Sequence, residues 1–66
     1  MKIYEFTQPE LDYFRVRCNF TKDELALFEY RASGTPLEEC AEKMNVSVST
    51  AKRFSRRVNN KIVKVL

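Results

Sequence analysis

Three Thr-x-x-Glu boxes recur at even spacing along the chain: Thr7–Glu10, Thr21–Glu24 and Thr35–Glu38. In each, the threonine hydroxyl accepts from the backbone N–H three residues on. The glutamate reaches back to the threonine's own N–H, so two orphan donors of a helix start are satisfied at once. Pro9 and Pro36 fall in the first turns, where no N–H is needed. A fourth start falls at Ser47, before a run to Leu66 with neither Gly nor Pro. These signals predict an extended start over Met1–Phe6, followed by helices over 8–18, 22–33, 36–44 and 48–64.

Apolar spacing supports most of this parse. Leu25, Phe28 and Ala32 repeat at helical intervals in the second helix, and Leu37, Cys40, Ala41 and Met44 form one stripe in the third. In the last helix Ala51, Phe54, Val58, Ile62 and Val65 share one face. The first helix is less regular, because Leu11, Tyr13, Phe14, Val16 and Cys18 do not line up as one stripe. Ser33-Gly34 stops the second helix, with Gly34 free to take a left-handed conformation. The expectation is an all-α fold, a compact domain of three to four helices. It forms one unit over residues 1–66, with an N-terminal extension and helix over 1–19 and a core over 20–66.

With 66 residues, such a domain buries one small core, worth ~3–5 kcal/mol. The composition then narrows the function. Without histidine the chain lacks the commonest general base, and one glycine rules out a phosphate-cradling glycine loop. No apolar run is long enough to span a bilayer, and no signal-peptide pattern opens the chain. Cys18 and Cys40 cannot complete a zinc site without histidine and read as small buried hydrophobes in a reducing cytoplasm. A small binding module is expected, neither an enzyme nor a membrane protein, with no catalytic residue, metal or cofactor.

Its charge is unevenly divided. Residues 1–46 carry six Lys or Arg against nine Asp or Glu, a balance of −3. Residues 47–66 carry Lys52, Arg53, Arg56, Arg57, Lys61 and Lys64 and no acid, a balance of +6. An acidic body with a basic end offers one face to a polyanion.

The segment 37–56 gives that face a shape. A short helix meets a corner at Asn45-Val46-Ser47 and then the basic helix. Ala41 is small where the next helix crosses, and Asn45 tolerates the left-handed backbone a tight corner needs. Val46 plugs the angle, Ser47 caps the following helix, and Ala51 and Phe54 return that helix to the core. This order is the grammar of a helix-turn-helix, whose second helix enters the DNA major groove.

Here the chain resembles a known family. Phe20-Thr21-Lys22-Asp23-Glu24-Leu25 is similar to the "LT-x-x-E" opening of LuxR-type and sigma-70 region 4 DNA-binding domains. The run from Gly34 to Ser47 resembles their "G-x-s-x-x-E-I-A-x-x-L-x-I-S" segment, Thr50-Ala51-Lys52 their "T-V-K", and Lys61-Ile62 their closing "K-L". Cys40, Ala51 and Phe54 depart from the usual isoleucine, valine and histidine, and Arg56-Arg57 leans toward the sigma form. The resemblance covers about residues 20–63 and implies a free-standing regulator like those carried by bacterial mobile elements.

Setting the core stripe inward places Ser49, Arg53, Arg56 and Asn60 at about 140–200° from Ala51 on a wheel of 100° per residue. Ser49, Arg53 and Arg56 are the expected base readers, with Val48 set to touch a thymine methyl. Lys52, Arg57 and Thr50 are expected at phosphates, as is Thr35 at the start of the third helix. Glu38, Glu39 and Glu42 argue against wide phosphate contact there. Asn60 and Lys64 lie too far along the helix to reach the groove floor.

Two partners besides double-stranded DNA are weighed. The acidic residues of the third helix are either a solvated face or a site for a basic partner, and the resemblance to region 4 implies partner proteins at this surface, which defines the alternative of an interaction module binding RNA polymerase or another regulator. Tyr4, Phe6, Tyr13, Phe14, Val63 and Leu66 exceed what so small a core needs. They either lock the first helix across the domain or form a two-fold contact, and a homodimer would read half-sites about 34 Å apart.

Overall fold

A computed structural model describes residues 1–66, all helical and without strands. A 3-10 turn at Ile3–Glu5 precedes α1 (Gln8–Arg17), α2 (Lys22–Ala32), α3 (Leu37–Met44) and α4 (Val48–Val65). The predicted extended start is thus corrected. The Glu5 N–H donates to the Lys2 carbonyl and the Phe6 N–H to the Ile3 carbonyl, and this turn drives Ile3 into the core.

Two of the three threonine boxes form. The Thr7 and Thr21 N–H groups donate to Glu10 and Glu24 at 2.8 and 3.0 Å, and the Glu10 and Glu24 N–H groups donate back to the threonine hydroxyls. The third does not. The Thr35 N–H is already spent on the Tyr30 carbonyl at 3.0 Å, as part of the α2 terminus, so Glu38 has no donor to reach. Pro36 takes the cap position instead, without a side-chain hydrogen bond.

The helix ends share one device. After α2, Gly34 is left-handed at φ 85°; its N–H donates to the Arg31 carbonyl while Thr35 closes on Tyr30. After α3, Asn45 is left-handed at φ 58°, its N–H donates to Glu42, and the Val46 N–H donates to Ala41. Both are Schellman closures, with asparagine replacing glycine in the second. Asn19, left-handed at φ 53°, follows the Cys18 cap of α1 without those closing bonds.

The core joins every element: Ile3, Leu11, Phe14 and Cys18 from the N-terminal part, Leu27 and Phe28 from α2, Cys40 from α3, Val58 and Ile62 from α4. Phe6 stacks edge-on against Phe14 at 4.8 Å, so of the surplus aromatics Phe6 and Phe14 lock α1 in place. In α1, Leu11, Phe14 and Cys18 do form an inward stripe, while Tyr13 and Val16 point out. In α2 the expected stripe is corrected: Leu25 is 39% exposed and Leu27 fully buried. The inward line runs Glu24–Leu27–Phe28, and a carboxylate at its head hides it from an apolar pattern. Arg15 ties α1 to α2 through a two-pronged pair with Glu29 at 2.7 and 2.8 Å, and also bonds Asp12.

Candidate nucleic-acid interface

Local chemistry sets the start of α4. The Ser47 hydroxyl accepts from the Thr50 N–H at 3.1 Å and donates to the Thr50 hydroxyl at 3.0 Å. Ahead of it, Val46 is half-buried, and Ala41 and Ala51 are both buried, so small residues occupy the places where α3 and α4 meet. Farther along α4, Val58 and Ile62 enter the core, with Phe54 and Val65 packed against it.

That inward stripe leaves the opposite face open. Val48, Ser49, Lys52, Arg53, Arg56 and Arg57 are all exposed, as are Asn60 and Lys64. Lys52, Arg53, Arg56, Arg57 and Lys64 pair with no carboxylate. On the helical wheel these five cations fall at about 100–240° from Ala51. Thr50 is half-buried and held by Ser47, with its hydroxyl proton still available as a donor. Seven of the eight expected contact residues therefore lie along α4.

Thr35 stands apart at the start of α3 and is half-buried. Its N–H is bound to Tyr30, and its carbonyl accepts from Arg31 at 2.9 Å and from the Cys40 thiol. Only its hydroxyl is left to meet a phosphate. Glu38, Glu39 and Glu42 are exposed on the same helix.

The sixth cation of α4 is spoken for. The Lys61 ammonium donates to Glu24 Oε1 in α2 and to the Asn19 carbonyl at 3.2 Å. Glu24 is only 3% exposed. Burial by itself would raise its carboxyl. The Lys61 hydrogen bond, the Thr21 N–H and the charges of Lys61 and Arg57 outweigh that effect and hold it below the usual carboxylate range. From the amino-acid order, Glu24 is legible as a cap and Lys61 as part of a basic run. The signal for their pairing was Glu24 standing three and four residues before the buried Leu27 and Phe28.

Cys18 and Cys40 are both free and buried. Burial pushes the Cys18 and Cys40 thiols up, which disfavours the thiolate. No cluster of side chains suits a metal ion, and no helix is long and apolar enough to cross a membrane. A groove of about 350 Å³ opens between α1 and the end of α4, lined by Pro9, Glu10, Tyr13, Phe14, Val65 and Leu66. No family model, curated protein or solved structure matches the chain.

Proposed function

We propose that this protein is a sequence-specific regulator of transcription that binds double-stranded DNA, with α3 and α4 acting as a helix-turn-helix and α4 as the recognition helix. The observation that carries the reading is the outer face of α4: five cations free of any carboxylate, opposite a stripe that is buried along the same helix. Holding like charges close together on one helix is unfavourable in isolation. A polyanion along that face relieves the repulsion and releases its own counterions.

The roles follow from position. An α-helix with its side chains is ~10–12 Å across and fits a major groove ~12 Å wide. Arg53 and Arg56, on the line most directly opposite the core, read base edges, guanine being the natural partner of a two-pronged guanidinium. Ser49 and Val48, in the first turn, reach the adjoining pair, where Val48 meets a thymine methyl. Lys52 and Arg57 flank this line and meet phosphates on the two strands, and Thr50 and Thr35 add hydroxyl donors. The chain has no catalytic role in this scheme.

The test is a fluorescence-anisotropy titration of a random-sequence duplex at several salt concentrations. On a random duplex, where no base edge is preferred, about five basic contacts from this face predict a log–log slope of about −4 to −5. Absence of binding at ~50 mM salt would sink the proposal, because the sequence-independent phosphate attraction is strongest there.

A further inference from the structure

We propose that Glu24 is a positioning residue that limits the DNA-facing charge of α4, by holding Lys61 against α2 and away from the polyanion. The inference rests on the DNA-binding reading above and deepens it.

Glu24 and Lys61 lie 37 residues apart, and their bond ties the first turn of α2 to the last third of α4. Both the Thr21 N–H and the Lys61 ammonium donate to the same oxygen, Glu24 Oε1. A second anchor, the Asn19 carbonyl, draws Lys61 toward the corner that ends α1. With its side chain 4% exposed, Glu24 cannot trade Lys61 for water, whereas Lys61, at 31%, lies at the edge of solvent.

Position explains why this matters for DNA. On the wheel Lys61 falls at about 280° from Ala51, beside Arg57 at about 240° and roughly one turn farther along the helix. Released from Glu24, a lysine there lies on the same flank as a phosphate-contacting arginine and can reach the next phosphate of that strand. Held by Glu24, it adds nothing, and the carboxylate also draws on Arg57 through its charge. Sequence-independent attraction grows with each cation that meets a phosphate, while base reading does not. One buried carboxylate thus lowers the sequence-independent part of binding, which is shared by every duplex.

The experiment measures the salt dependence of binding to a random-sequence duplex for the wild type, Glu24→Gln, Lys61→Gln and the double variant. Glutamine keeps the size of glutamate and its role in the capping box. Glu24→Gln is expected to steepen the slope by about 0.9 and to raise affinity by up to about eightfold at 0.1 M salt, the worth of one more released counterion. The double variant is expected to return to the wild-type slope, and Lys61→Gln to leave that slope unchanged. A merely structural role for Glu24 would only weaken binding and could not steepen the slope. An unchanged or shallower slope in Glu24→Gln overturns the inference while the DNA-binding reading stands. Should that variant fail to fold, Lys61→Gln decides alone: a slope shallower by about 0.9 shows that Lys61 already meets phosphate and overturns it. A wild type that binds no duplex overturns both.

Discussion

The Val46 N–H donates to the Ala41 carbonyl at 3.0 Å across Asn45, which is left-handed at φ 58°. This closure turns the chain from α3 into α4 and so aims the basic helix. Asn45→Gly keeps the conformation without its Cβ strain and is expected to match or slightly exceed the wild type in stability. Asn45→Val, β-branched, should cost about 1–2 kcal/mol. Thermal unfolding followed by circular dichroism reads the difference as ~4–8 °C per kcal/mol in a chain of this size.

The threonine boxes make a contrasting set. Thr7→Ala and Thr21→Ala each remove a formed cap and should cost ~1 kcal/mol. Thr35→Ala removes no cap and should cost clearly less, since its backbone rather than its hydroxyl closes the α2 terminus. Urea midpoints of the three variants test this order, and an equal loss at Thr35 would contradict it.

Acid should weaken the fold in a defined direction. Arg15 holds the Glu29 carboxyl down, chiefly through their hydrogen bond, and Glu24 is also lowered, the ion pair and cap overcoming burial. A carboxyl lowered on folding contributes stability in full above its unfolded value of ~4.3, and that contribution drains away as pH falls through the folded value. Urea unfolding at pH 7 and pH 3 should show a fall that is smaller in Glu24→Gln. Identical pH profiles for the two proteins would remove Glu24 from the account.

On DNA, the two kinds of contact separate by mutation. Arg53→Ala should cost about 1–3 kcal/mol at a preferred site and relax the choice of one base pair. Lys52→Ala should weaken all duplexes alike and make the salt slope shallower by about 0.9. Selecting a preferred site from a random pool with the wild type, then titrating both variants on it and on random duplex, checks the pair. Equal loss on both duplexes for Arg53→Ala would refute its role as a base reader.

The thiols should be silent in the folded chain. Cys18 and Cys40 are buried and their thiols are raised by that burial, so a colourless disulfide reagent at neutral pH should label neither until urea is added. Rapid labelling of the native protein would place one of them at the surface.

What the amino-acid order determined by itself is local. The helix starts at Thr7, Thr21 and Ser47, and the left-handed stops at Gly34 and Asn45, are bonds between residues three to five apart, and side-chain type alone specifies them. The basic outer face of α4 was equally legible, because a long, regular stripe leaves one opposite face. Tertiary structure decided the rest. It turned Leu27 rather than Leu25 inward and carried Ile3 into the core. It also set a buried carboxylate at Glu24 against Lys61. In α2 the four apolar residues Leu25–Phe28 cover more than one face, so propensity and pattern left its orientation open. Only packing against α4, where the Lys61 ammonium offsets the cost of burying a charge, chose the face that carries Glu24 inward.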